Sequence, residues 1–432
     1  MTDRKAFIAS LASTAALAAC AGNPSMPGAS TSLPARGLGK RRSAAELLAL
    51  SLSNKSGAYQ DKDVYFLLYG QGIPPDNDWY HLTDPATGAI ERCASTGLKY
   101  TADYSFQLSD VSKLMLPPMR AARLYFSFAK KLLLQVNDAG IPSPPIGFDS
   151  TAQNVNYETV FDFVEWTLWY PSDAGWNGNL TLVQSVNIPI DFHIAGESLT
   201  GTKLDYTRGW LEGGYTKFLN SMKSQPDFAD LVLPGLNRVL APDVGLEPFA
   251  GKNGPVFKAD YYDGYIDDVW TKYSTDKMVV VTNQGATWNG SIQSDKLVFS
   301  PVTGQTNLEP ISLRKPTTKE VFACSDICVS GCKSSTPQQE DVNNQIRGAF
   351  LSAMNRSTLL TDTTIGVDPV SAYCKDTSAF YQGKQTNFYA KYIHENTQEH
   401  LAYAFGIDDY CLQSSFVTVQ KPNVFEIVLV KQ

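Results

Sequence analysis

The feature that most limits the fold is a crowd of strand-like runs in the first half of the chain. "VYFLLYG", "GLKYTADYSFQL", "ARLYFSFAKKLLLQV", "VFDFVEWTLWY" and "NLTLVQSVNIPIDFHI" are rich in β-branched and aromatic residues, and turn clusters such as "IPPDND" and "IPSPPIGFDS" part them. So many strands must bury a face against a second sheet or curl onto themselves, which predicts a β sandwich or barrel. With 432 residues, 43% of them hydrophobic, the chain has ample apolar surface for that core and for more than one domain.

Past residue 197 the period changes. In "YTKFLNSMK" the residues Tyr215, Phe218, Leu219 and Met222 recur at helical spacing, as do Tyr262, Tyr265, Ile266, Val269, Trp270 and Tyr273 in "YYDGYIDDVWTKY". A third helix is expected after Thr336, with Thr336 as cap, Pro337 in the first turn and Gln339 completing a capping box. Strand-like "KMVVVTN" and "DKLVFSPV" lie between helices, and "FEIVLV" returns to β near the end. The expected fold is therefore mainly β with an α/β portion: residues 51–197 and 372–432 as the β domain, 198–371 as the mixed one.

The N-terminus "MTDRKAFIASLASTAALAACAG" begins with a short basic stretch, followed by a small, apolar run too brief to span a bilayer. It reads as an export signal over residues 1–20. Leu17-Ala18-Ala19-Cys20 is similar to a bacterial lipobox, which would put a lipid anchor on Cys20; the alternative is an ordinary signal cleaved near Ala19. Residues 21–50, rich in Pro, Gly, Ser and Ala up to about Ala45, read as a linker. The remaining cysteines, Cys93, Cys324, Cys328, Cys332, Cys374 and Cys411, form an even set that predicts disulfides in an exported chain, with connectivity open. "CSDICVSGC" lacks the second cysteine pair or nearby histidines of a zinc site, so no metal and no cofactor are expected.

Lys and Arg number 36 against 43 Asp and Glu, a net charge of −7, which gives no basic footprint for nucleic acid. Membrane contact is expected only through the anchor, and a tethered monomer is the simplest assembly.

One carboxylate stands out. Along "VFDFVEWTLW", alternation puts Phe163, Glu165, Thr167 and Trp169 on one face and Val164, Trp166 and Leu168 on the other. A hairpin closing between Tyr170 and Asn179 would set Gln184 opposite Glu165. Desolvation on a partly apolar face would raise the pKa of Glu165 toward a general acid's range; the alternative is a paired structural residue.

The run "ETVFDFVEWTLW … NLTLVQSVNIPI" resembles glycoside hydrolase family 64, the β-1,3-glucanases that include laminaripentaose-producing enzymes. "RLYFSFAKKL", "YYDGYIDDVWTKY", "RKPTTKEVFAC", "AMNRSTLL" and "NFYAKYIHENTQEHLAYAFGIDDY" resemble family segments in the same order, so the likeness covers nearly everything from residue 51 onward. It implies a thaumatin-like β barrel or sandwich and a mixed α/β domain flanking a wide groove for a β-1,3-glucan chain. It also implies inverting hydrolysis with Glu165 as general acid, Thr167 lining the same site and Trp176 near the cleaved bond.

The general-base aspartate of the family falls on Gln184 here, and a carboxamide cannot take a proton from water. A relocated base is sought in Asp191 or Asp173; failing one, the chain would bind glucan without cleaving it. Trp169 on the Glu165 face, and Asp408 and Asp409 in "YAFGIDDY", are further candidates for sugar contact, the aspartates alternatively only closing a turn. His394 and His400 flank an expected loop without a third ligand to suggest a metal.

Overall fold

Alternating apolar residues build two sheets that share one core in the computed structural model. It describes residues 47–431 apart from 98, 149–153, 170–174, 249–253, 304–307 and 332–335, so the signal, Cys20, most of the linker, Asp173 and Cys332 lie outside the described residues. The first strands are β1 (Leu48–Asn54), β2 (Val64–Gln71), β3 (Trp79–Asp84), β4 (Ala89–Arg92), β5 (Phe106–Gln107) and β6 (Leu114–Leu116). After them come β7 (Met119–Phe128), β8 (Val160–Trp169), β9 (Gly175–Leu180), β10 (Ser185–Val186), β11 (Ile190–Glu197) and β12 (Lys203–Arg208). The mixed portion adds β13 (Val232–Leu233), β14 (Arg238–Leu240), β15 (Met278–Val281), β16 (Thr287–Gln293), β17 (Lys296–Thr303), β18 (Ile311–Arg314), β19 (Cys328–Ser330) and β20 (Thr364–Gly366). The last two are β21 (Val417–Val419) and β22 (Lys421–Leu429).

One sandwich sheet runs β21-β9-β8-β7-β2-β3-β4, with β5 beside β2, and the other runs β12-β11-β22-β1-β6. The inward residues of β8 (Val164, Trp166, Leu168) meet Phe192 and Ile194 of β11 and Phe425 and Ile427 of β22 in a common core. Trp166 stands edge-on to Phe425 at 5.6 Å between ring centroids, a favoured aromatic geometry. The sheets keep separate ladders and do not close, so of the two expected architectures the sandwich is found and the barrel is not.

Among its described residues the "GLKYTADYSFQL" run forms the two-residue β5, an isolated bridge between Ala102 and Leu134 and, at Leu108, the start of a short 3-10 turn. Its apolar residues are spent differently: Ala102 joins Cys93, Leu132, Leu134 and Val136 in a layer over the outward residues Leu67, Tyr69, Tyr125 and Phe161 of the larger sheet.

The mixed portion holds the sheet β19-β18-β17-β16-β15-β20 and the small sheet β10-β14-β13. Helices span Gly214–Ser224, Asp263–Thr275 and Pro337–Asn355, each where its spacing predicts. Thr336 caps the last by accepting the Gln339 amide, but the Gln339 side chain turns to Glu309 and Asn343 instead of closing the box. The expected domain border at 372 is displaced. Tyr373, Phe380, Tyr389, Ile393 and Phe405 all pack into the mixed portion's core, and the chain rejoins the sandwich only at β21. A helix at Phe388–Asn396 causes this by lying against Gly214–Ser224 so closely that a Cβ on Gly214 would sit 2.4 Å from the Asn396 carbonyl.

Cys374 is bonded to Cys411, and Cys328 is also disulfide-bonded. The expected disulfides are thus present, while Cys93 and Cys324 are free thiols.

Candidate active site

Glu165 lies on the outer face of β8, away from the sandwich core, as alternation predicts. The β ladders set it in a row that crosses four strands: Tyr69 of β2, Arg123 of β7, Glu165 of β8 and Asn179 of β9. Its neighbour on β9 is thus Asn179, which corrects the expected pairing with Gln184. The hairpin is tighter than a symmetric closure at Tyr170, for Trp169 already pairs with Gly175. Gly175 takes φ +59°, and a Cβ there would run 2.4 Å from the backbone of Val419 and Gln420, so the first position of β9 needs glycine. Gln184 falls past the end of β9, half-buried in a bend, its carbonyl accepting from the Ala241 amide at 2.9 Å.

Glu165 is paired, as the alternative reading of its strand allowed. It is 6% exposed and Arg123 is 7% exposed, and Arg123 Nε donates to Glu165 Oε2 at 2.7 Å. Burial by itself would lower the Arg123 pKa, but Glu165, with Tyr69 and Tyr125 nearby, holds the guanidinium well above its usual range. Its carbon also lies 5.7 Å from the centre of the Phe163 ring. The pairing engages Oε2.

Thr167 is half-buried two residues on, and its hydroxyl accepts the Ala121 amide at 3.3 Å where β7 bulges. It heads a second polar row, Thr167, Asn177 of β9 and Thr418 of β21, all half-buried. Trp169 is half-buried at the end of the same face. Trp176 is different. Because β9 begins at Gly175, alternation turns Trp176 inward, where it is 0% exposed and its ring lies 5.1 Å from Phe425 and 5.5 Å from Phe192. It is a core residue and not the sugar contact the resemblance implied.

The "YAFGIDDY" turn reaches this face from far along the chain. Thr181 and Tyr403 form a parallel bridge, and the Leu182 amide donates to the Tyr403 carbonyl at 2.9 Å. The Tyr403 hydroxyl donates to the Gly406 carbonyl at 3.0 Å, and burial, followed by the charges of Asp409 and Glu165, holds that phenol well above its usual pKa.

The paired aspartates divide their roles. Asp408 is 0% exposed and accepts from the Ala404 amide at 3.0 Å and from Arg356 Nη2 at 3.2 Å, with His394 Nε2 at 2.9 Å. No face of it is left for a sugar, so its expected binding role is replaced by that of an anchor for the turn. Asp409 stays half-buried at the surface of the turn, and burial, helped by Asp408, pushes its carboxyl up to about 6.

Asp191, one candidate for a moved base, sits on β11 in the other sheet. Its Oδ1 accepts the Trp210 amide at 2.8 Å, and burial pushes it up to about 6. Its neighbours Ile190 and Phe192 point into the sandwich core, so Asp191 faces away from the sheet that carries Glu165.

Three residues passed over in the sequence matter here. Arg123 shares the alternating face of "RLYFSF" with Tyr125, but only the register sets it beside Glu165. Tyr403 comes from a distant segment and had no local signal. Asp162, on the inward parity of β8, accepts the Asn187 and Ile188 amides at 3.0 and 3.3 Å, which ties β8 to the segment just beyond Gln184, and burial pushes it up to about 7. A cavity of about 380 Å³ lies elsewhere, lined by Tyr65, Phe106, Asp110 and Lys131 among others, and includes neither Glu165 nor Asp409.

The profile of glycoside hydrolase family 64, described as Beta-1,3-glucanase, matches residues 46–429. A Glucan endo-1,3-beta-glucosidase from Cellulosimicrobium cellulans is 27% identical over 319 residues, 72% of this chain and 52% of that protein. The chain thus spans about half the length of the curated relatives it matches. The crystal structure of a laminaripentaose-producing beta-1,3-glucanase in complex with laminaritetraose superposes with TM-score 0.72 at 22% identity, covering 89% of this chain and 99% of the other. A beta-1,3-glucanase domain from Clostridium beijerinckii gives 0.68 at 24% identity, covering 89% and 98%. Those structural likenesses concern the fold, while the profile match over most of the chain decides its kinship: the chain belongs to glycoside hydrolase family 64.

Proposed function

We propose that the protein hydrolyses β-1,3-glucan, with Glu165 as the general acid and net inversion at the cleaved carbon. The observation that carries this reading is the family match across residues 46–429, joined to the position of Glu165 on the outer face of β8 with the half-buried Thr167 and Trp169. Arg123 holds Oε2, which fixes the carboxyl group in one orientation, while Oε1 carries the proton to the glycosidic oxygen. Inversion needs a second carboxylate about 6.5–9.5 Å away to activate water on the opposite face of the sugar. The named relatives act on or were crystallised with β-1,3-linked glucans, which supports the same substrate class here.

Incubation with laminarin and assay of new reducing ends tests the reading. Glu165→Gln is expected to abolish release while sparing binding, and unaltered turnover would remove Glu165 from its role.

The second reading, a β-1,3-glucan-binding protein without catalysis, is favoured by Gln184 at the family's base position. It predicts retention on insoluble β-1,3-glucan with no reducing ends released. Leu17 to Cys20 supports export and a lipid anchor on Cys20 in either case, and a monomer is the simplest assembly. Incorporation of labelled fatty acid into the wild type but not into Cys20→Ser checks the anchor.

A further inference from the structure

A chain that acts on a glucan must hold several sugar units as well as the bond it breaks, and the edge of the sheet that carries Glu165 offers a surface for them. β21 is the edge strand beside β9, and its ladder pairs Val417 with Gly178 and Thr418 with Asn177. Carried back one residue, that register sets Phe416 beside Asn179, the cross-strand neighbour of Glu165. Ser415 holds the register there. The Leu180 amide donates to its hydroxyl at 3.2 Å, and the hydroxyl donates to the Leu180 carbonyl at 3.2 Å. Val417 and Val419 belong to the sandwich core, so Phe416 shares the outward parity of Thr418 and lies on the face of Glu165. Its line is two strand spacings from that of Glu165, about 9–10 Å.

Among the described residues Phe416 is the only aromatic side chain that is exposed, at 44%, and no other ring stacks on it. Polar groups without partners lie beside it. Asn179 Oδ1 accepts the Thr181 hydroxyl at 2.6 Å, while Asn179 Nδ2 and the side chains of Asn177 and Thr418 make no hydrogen bond within the described residues. A pyranose asks for this combination: an aromatic face covers its C–H face, and amide and hydroxyl groups meet its hydroxyls.

We propose that Phe416 is a platform on which a glucosyl unit of the β-1,3-glucan stacks, two strand spacings from the bond that Glu165 protonates. This deepens the glucan reading and rests on it. Asn179, between the two, offers Nδ2 to a hydroxyl of the sugar that bridges them. The ring lies away from the reacting atoms, so its contact is the same in the ground state and the transition state. Its contribution therefore falls on affinity and KM and not on the chemical step.

The test uses the full chain, and calorimetry with a soluble β-1,3-gluco-oligosaccharide is done in the Glu165→Gln background, where the sugar is not consumed. Phe416→Ala is expected to weaken binding at least about fivefold, as when part of an aromatic face no longer leaves water. Phe416→Tyr keeps the flat face and should stay within about twofold of the parent, with Phe416→Leu between them. All three should melt at the parent's temperature, because an exposed ring contributes little to the fold. With Glu165 intact, the loss in Phe416→Ala should appear as a raised KM more than a lowered kcat. Binding by Phe416→Ala as tight as the parent's overturns the inference alone. Equal losses in the alanine, leucine and tyrosine variants, or a melting temperature that falls with affinity, assign Phe416 to structure and also overturn it. A wild-type chain that releases no reducing ends but shows the ring-dependent binding overturns the hydrolase reading and leaves this inference standing. A wild-type chain that binds no β-1,3-glucan overturns both.

Discussion

Arg123 and Glu165 are direct cross-strand neighbours on β7 and β8, and their side chains meet at 2.7 Å with both residues almost wholly buried. A cation and an anion removed from water together hold each other in place, and removing either one leaves a charge without compensation. The pair is thus a lock on the one carboxyl group that the proposed chemistry needs to keep still.

Arg123→Met tests the lock. It should cost about 3–5 kcal/mol of unfolding free energy, because Glu165 is left buried and unpaired, whereas Arg123→Met with Glu165→Gln should recover a large part of that loss. Urea denaturation of the two singles and the double gives the coupling directly. Equal losses that simply add would show that the two side chains do not depend on each other.

The face that carries Glu165 was legible from alternation in "VFDFVEWTLW", because a strand's period of two survives any tertiary context. Its partner was not. Register depends on where the hairpin closes, and with Trp169 paired to Gly175 at the start of β9 the partner of Glu165 is Asn179 and not Gln184, while Trp176 becomes a strand residue facing the core. The helix at Phe388–Asn396 was also missed, although Asn387 caps it through the Ala390 amide and Tyr389 and Ile393 stand four apart on its buried side. The "YAFGIDDY" turn drew notice as a pair of aspartates, but only the bridge between Thr181 and Tyr403 brings it to the site, and no local pattern encodes a contact over that separation.

Trp176→Ala should then behave as a core truncation. An apolar ring enclosed by Phe192 and Phe425 costs about 3–5 kcal/mol to delete, while Trp176→Phe should cost less because it keeps most of the contact. If Trp176→Phe keeps full stability but loses glucan affinity more than tenfold, the residue touches sugar after all.

Asp162 sets a pH dependence whose sign follows from its burial. Its folded carboxyl stands at about 7 against an ordinary 3.8, so the folded chain holds this proton more tightly than the unfolded one. The stabilising contribution is complete below pH about 4 and is lost as pH rises toward 7, at up to about 1.4 kcal/mol per pH unit for one proton. Asp162→Asn should flatten the fall in stability between pH 4 and 7. Parallel curves for variant and wild type across that window would mean that Asp162 does not titrate there.

His394 closes the last of these devices. Its Nε2 faces Asp408 Oδ2 at 2.9 Å and its Nδ1 faces the His400 carbonyl at 2.7 Å, so an oxygen acceptor stands before each ring nitrogen. Beside Arg356 and the Ala404 amide, the ring is one of the groups that enclose the fully buried Asp408. His394→Gln can still donate one hydrogen bond, while His394→Leu offers none and leaves the buried Asp408 with one partner fewer, so the loss of stability should grow from the first to the second, reaching about 1–3 kcal/mol in the leucine variant. A leucine variant as stable as wild type would mean that Arg356 and the Ala404 amide suffice for Asp408, and that the ring only fills space beside Tyr381.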